Sequence, residues 1–123
     1  MAQERTAPSP LIESDRVEGM PVYSGEGTPI GMIKRLIIDR ASGRVVYVVI
    51  TFAASYGLED VPYVIPWMKL TYDVSLGGYR SDTTEAELRG APAAARGDVA
   101  WADRESLEVL DAYFRIPPGW RSI

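Results

Sequence analysis

From Leu11 to Asp82, short apolar runs alternate with glycine-bearing turns at close intervals, the pattern of a small barrel or sandwich. The first run, Pro21-Val22-Tyr23, is closed by Ser24-Gly25-Glu26-Gly27, where two glycines can supply the positive φ of a tight turn, and a hairpin is predicted. Ile30 to Asp39 follows. Ile30, Met32, Leu36 and Ile38 fall on one side and Ile33, Arg35, Ile37 and Asp39 on the other, which predicts a strand with one mainly buried face. Arg40-Ala41-Ser42-Gly43 turns the chain into Arg44 to Ala53, where Val46, Val48, Ile50 and Phe52 alternate with Val45, Tyr47 and Val49. Both sets are apolar, so both faces are covered and this is the central strand.

Pro62 and Pro66 bracket Tyr63-Val64-Ile65, which places that strand at an edge or bend, where a missing amide donor does no harm. Trp67 to Asp73 alternates strictly, with Met68, Leu70 and Tyr72 on one side and Lys69, Thr71 and Asp73 on the other. Gly77-Gly78 then turns it into the last run, Tyr79 to Asp82. From Thr83 the character changes. Thr84 and Glu87 have the spacing of a capping box, and Gly90-Ala91-Pro92 stops the short helix that they open. A second helix fits Asp103 to Arg115, with Asp103 as N-cap. Leu107, Leu110 and Phe114, extended by Val109 and Tyr113, form its apolar stripe, and Asp111 is spaced to pair with Arg115. The expected organisation is a polar tail over residues 1–10, a β-rich domain over 11–92, a linker over 93–102 and a helical extension over 103–123.

A chain of 123 residues is the size of one domain, and 46% apolar with 24% charged residues is a globular composition. The net charge of -4 carries no basic block, which argues against nucleic acid. Lys34, Arg35, Arg40 and Arg44 are the one local concentration, and two strands joined by a turn would bring them together on a solvated face. Cysteine and histidine are both absent. Without them there is no disulfide frame, no thiol or Ser-His-Asp catalysis, and no His- or Cys-based metal site. An enzyme would have to work with carboxylates, Lys, Tyr or Ser. The longest nearly apolar run, Val45 to Ala54, is about half of a membrane-spanning helix, and the first ten residues lack the apolar core of a signal peptide. A cytoplasmic protein with no membrane span is the expectation.

The stretch Leu11-Ile12-Glu13-Ser14-Asp15-Arg16-Val17-Glu18-Gly19-Met20-Pro21-Val22-Tyr23 resembles the PRC-barrel family. The resemblance continues, in order, through Ile30-Gly31-Met32-Ile33, Leu36-Ile37-Ile38-Asp39, Ser42-Gly43-Arg44-Val45, Ile65-Pro66-Trp67, Leu70-Thr71-Tyr72-Asp73, Gly77-Gly78-Tyr79 and Glu87-Leu88-Arg89-Gly90-Ala91-Pro92. It implies a mainly β fold, a small barrel of five or six strands with a short helix and a C-terminal amphipathic helix. That family takes its name from the cytoplasmic domain of the photosynthetic reaction-centre H subunit, and it also ends a ribosome-maturation factor that binds a ribosomal protein. Both roles are assembly roles, so the resemblance implies a surface for protein partners and carries over no catalytic residue. Neither a membrane helix ahead of the barrel nor the maturation factor's other domain is expected, so the resemblance is more to the stand-alone bacterial members. One departure is Arg80-Ser81, more polar than the family's last strand and expected to loosen the barrel edge.

Paired acids at Glu59-Asp60 read more simply as a charged loop than as an acid and base pair. Asp39, Asp73 and Asp82 at strand ends read as turn caps before they read as cation ligands. The aromatic and apolar set is more suggestive: Tyr56, Leu58 and Tyr63 near one loop, and Trp101, Phe114 and Trp120 in the tail, are the candidate interface residues. The alternative is that the tail helix folds back and buries its aromatics on its own barrel. The expected function is a non-catalytic protein-interaction or oligomerisation module without metal or cofactor, with a homodimer as its simplest form. The alternatives are a small-ligand or RNA-linked binding module at the barrel mouth and, behind it, a carboxylate-dependent enzyme.

Overall fold

The computed structural model describes residues 10–52, 62–92, 95–96 and 104–116. In chain order these form α1 (Ser14–Val17), β1 (Pro21–Tyr23), β2 (Pro29–Ile38), β3 (Val45–Phe52), β4 (Pro62–Pro66), a 3-10 turn (Trp67–Lys69), β5 (Leu70–Asp73), β6 (Gly78–Ser81), α2 (Glu85–Arg89) and α3 (Arg104–Tyr113). The strands make one six-stranded sheet in the order β4-β3-β2-β1-β6-β5. Neighbours run antiparallel except β1 and β6, which pair parallel through Val22 with Tyr79 and Tyr23 with Arg80.

β4 and β5 follow one another in the chain yet lie at opposite ends of the sheet. In a flat sheet, five strand spacings would hold them about 24 Å apart. The link from Pro66 to Leu70 reaches at most about 14 Å even when extended, and its 3-10 turn is shorter still. The sheet must therefore curl until its edges approach one another, and its inner face wraps into a small β-barrel.

The core fills this curl and also covers the other face of β3. Val46, Tyr47, Val48, Val49 and Ile50 are buried in succession along β3, as the doubly apolar run predicts, and β3 sits between β2 and β4. Burying aliphatic side chains of this size stabilises the fold by roughly 1.5–3 kcal/mol each. Val22, Ile30, Ile33, Val64, Ile65 and Leu70 join them from the other strands. β4 is an edge strand, as its prolines predict.

Several expectations need correction. The clean alternation expected along β2 fails, because the register shifts between Ile33 and Arg35 and again between Ile37 and Ile38. Each extra residue moves the following side chains to the opposite face. Against β1 the register also slips between Val22 and Tyr23, which makes Ile30 the extra residue, so Ile30 and Ile33 are both buried while Met32 is about half exposed; Ile38, beyond the later shifts, is about half exposed too. The alternating run from Trp67 does not begin as a strand: Trp67–Lys69 is the 3-10 turn that the curl requires, and only Leu70–Asp73 pairs with β6. The polar Arg80-Ser81 does not loosen an edge, since β6 lies inside the sheet between β1 and β5. Ser81 is buried, accepting from the Thr83 amide at 3.1 Å and donating to the Thr83 hydroxyl at 3.0 Å. α1 was not foreseen.

The N-cap half of the capping box is present: the Thr84 hydroxyl accepts from the Glu87 amide at 3.1 Å and opens α2. α3 is shorter than the predicted helix. It ends with Arg115 at φ 60, and the Ile116 amide donates to the Asp111 carbonyl at 2.9 Å, a Schellman-type close in which Arg115 occupies the position that usually favours glycine. Leu110 of α3 and Phe114 just after it belong to the same core as the strands, and so does Ala95 from the stretch expected to be linker. Two hydroxyls fasten this helix. Tyr47 Oη on β3 donates to Asp111 Oδ1 at 2.8 Å, and Tyr113 Oη donates to the Glu87 carbonyl at 2.6 Å.

Gly31 and Gly78 are needed because backbones approach closely. A Cβ on Gly31 would lie 2.7 Å from the Thr51 carbonyl oxygen of β3, and one on Gly78 would lie 2.7 Å from the Pro21 carbonyl oxygen of β1. Gly31→Ala is expected to lower stability by about 1–3 kcal/mol, the usual cost of overpacking against a rigid neighbour. Chemical denaturation followed by circular dichroism measures it, and an unchanged midpoint would show that β2 and β3 can separate without cost.

Candidate interaction surface

Two of the six candidate interface residues are taken up by the chain's own core. Tyr63 on β4 is 3% exposed and packs edge-on against Phe52 at 5.9 Å, and Phe114 is 4% exposed beside Tyr113. For Phe114 the helix folds back onto its own barrel. Neither ring is presented to a partner. Tyr56, Leu58, Trp101 and Trp120 lie outside the described residues, as do Glu59 and Asp60.

The strand-end aspartates act within their own turns. Asp39 Oδ2 accepts from the Ser42 amide at 2.9 Å, and Asp82 pairs with Lys69 at 3.5 Å. Asp73 caps the β5–β6 turn, accepting at Oδ1 from the Ser75 hydroxyl at 2.6 Å and from the amides of Ser75 and Leu76 at 3.0 and 3.2 Å. Its other oxygen takes Arg80 Nε at 3.1 Å and Nη2 at 2.5 Å. Arg80 Nη1 also donates to the Gly25 carbonyl, so one guanidinium ties the β1–β2 turn to the β5–β6 turn. The Ser75 hydroxyl, followed by Arg80, holds the Asp73 carboxyl down to about 2. Among the described residues no three acidic side chains converge as metal ligands. Lys34, Arg35, Arg40 and Arg44 are exposed or half-exposed along β2 and the turn that follows it, as a solvated face would be.

The surface that the sequence reading missed lies where the chain enters the domain. Leu11 and Ile12, just before α1, stand 83% and 47% exposed, and Tyr72 and Val74, at the end of β5 and in its turn, stand 46% and 64% exposed. With Pro10 and Tyr79 they line one open groove of about 550 Å³, rimmed by Glu13 and Arg16. Those two rim charges pair with each other at 3.0 Å. The Tyr72 and Tyr79 rings meet edge to face at 5.2 Å across the β5–β6 pair, and Trp67 packs on Tyr79 from another side at 5.3 Å. Burial first, and then the neighbouring Tyr72, pushes the Tyr79 phenol upward. The alternating pattern puts Tyr72 on one side of the run with Met68 and Leu70. Leu70 is buried while Tyr72 is not, because β5 is the last strand of the sheet and nothing among the described strands lies beyond Tyr72. A second apolar hollow, lined by Met32, Thr51 and Phe52 among others, borders the start of the segment that carries Tyr56 and Leu58.

The pattern of the PRC-barrel domain matches residues 10–88, more than half of the chain. This chain belongs to the PRC-barrel family. No curated protein is similar enough to count as a match. The matched stretch runs from the groove's Pro10 and Leu11 through all six described strands to Leu88 of α2, so the groove is built entirely from the PRC-barrel segment. α3 lies beyond it in sequence while packing into the same core.

Because the folded carboxyl of Asp73 sits below its ordinary value of 3.8, its contribution to stability is present above about pH 4 and is lost as pH falls toward about 2. Asp73→Asn keeps the turn-capping oxygen but removes the charge facing Arg80. The variant is expected to melt below the wild type at pH 7 and to converge on it near pH 2. Thermal melts across that range check this, and a gap that does not narrow on acidification would contradict it.

Proposed function

We propose that this PRC-barrel domain works as a non-catalytic protein-interaction or oligomerisation module, meeting a protein partner or a second copy of itself. The observation that carries the reading is the groove, where four of the exposed large apolar side chains, Leu11, Ile12, Tyr72 and Val74, gather at one place. Contiguous apolar exposure of this kind marks association surfaces. The rim supports it, because the Glu13–Arg16 pair frames an apolar centre with balanced charge, the usual anatomy of an interface.

Neither of the two shifted groups suits acid and base work. A general acid or base operates best with a pKa near ambient pH, yet Asp73 is drawn far below neutrality by its turn and Tyr79 is pushed further above it. Each shift has a local structural cause. The expected setting is the cytoplasm; no helix among the described residues is long and apolar enough to cross a membrane. The reading requires no metal or cofactor.

The purified chain is expected to self-associate over a concentration series in sedimentation velocity, or to capture a specific protein by crosslinking. Leu11→Asp with Val74→Asp should weaken that association about tenfold or more, since central apolar interface side chains commonly contribute over about 1 kcal/mol each. A strict monomer that captures no protein would overturn the reading.

A further inference from the structure

The two edges of the sheet are treated differently. At β4, Pro62 and Pro66 remove amide donors, and a bridge from Tyr63 to Arg96 covers part of the outer side. Among the described residues β5, its shortness apart, has neither proline nor a covering strand. Its residues Leu70, Thr71, Tyr72 and Asp73 include no proline, its register with β6 is regular, and no described strand lies on its outer side. Natural sheets blunt an open edge with proline, lysine, a bulge or a cover, because unpaired backbone groups recruit another strand. Tyr72 of this edge strand and Val74 just after it also line the apolar groove.

We propose that two copies of the chain pair their β5 strands antiparallel about a twofold axis at Tyr72, so that one sheet runs through the dimer. This rests on the interaction-module reading and names its partner and its geometry. With Tyr72 opposite its own copy, Leu70 faces the partner's Val74 and Thr71 faces the partner's Asp73. Apolar positions meet apolar ones, and a hydroxyl meets a carboxylate. A strand of four residues supplies few backbone bonds by itself, and covering Leu11, Ile12 and Val74 adds the apolar burial that the strand lacks. Charge favours a second copy over a strongly charged partner: Glu13 is balanced by Arg16 and Asp73 by Arg80, so like patches approach without net repulsion. A two-fold contact is also self-complementary by construction.

A charge swap on the axis tests this. Tyr72→Lys and Tyr72→Glu each place like charges opposite one another and should raise the dimer dissociation constant about tenfold or more, whereas their equimolar mixture should restore association. Circular dichroism verifies the fold of each variant. If either fails to fold, Tyr72→Cys replaces it: the chain has no other cysteine, so mild oxidation should give an interchain disulfide faster than in Val109→Cys, an exposed site on α3. Variants that stay dimeric, a mixture that fails to recover, or equal disulfide rates would overturn the β5 pairing while leaving the interaction reading intact. A wild-type monomer would also overturn it, and the broader reading would then rest on capture of a different protein. Protection of the β5 amides by such a protein would assign the edge to a foreign strand.

Discussion

The link from Pro66 to Leu70 governs this structure. It joins the two outermost strands of one sheet with fewer residues than a flat sheet would need, so the strands must wrap. Wrapping gives the sheet an inside. The inward-facing side chains of β1 to β5 then bury one another, with α2 and α3 helping to close the interior through Leu88, Leu110 and Phe114. The close approaches at Gly31 and Gly78 follow from the same tight packing of neighbouring backbones. Arg80 adds a polar fastening on the outside, joining two turns that the chain itself separates widely.

Much of the fold could be read from residue order because most of its signals are local. The doubly apolar run of β3, the prolines around β4 and the Thr84–Glu87 cap each act within a few residues and are where they were expected. The misreadings have a common origin in tertiary geometry. Irregularities at Ile30 against β1 and near Lys34 against β3 reassign the faces of β2, the three residues after Pro66 turn because the sheet must curl, and Arg80-Ser81 are polar because one clamps two turns and the other bonds Thr83. None of these causes is visible at the residue it affects.

The candidate surface was less legible. Large aromatics drew attention to Tyr63 and Phe114, yet such rings serve a core as well as an interface, and both are buried. Leu11 and Ile12 offered no periodic signal, and Tyr72 shares a face with the buried Leu70. Its exposure follows only from the strand order, which leaves β5 at the end of the sheet. Membership of the PRC-barrel family gives the scaffold. The groove is a property of how this chain finishes it.

The parallel pairing of β1 with β6 also has a consequence in time. Val22 finds Tyr79 only after most of the domain has been laid down between them, whereas β2, β3 and β4 can zip together from adjacent hairpins. Distant pairings carry a larger loop-closure cost and come slowly. During synthesis the β2–β4 meander therefore has to wait, with Val22 uncovered on one flank, until the ribosome releases β6. The last strands to leave the ribosome complete the first.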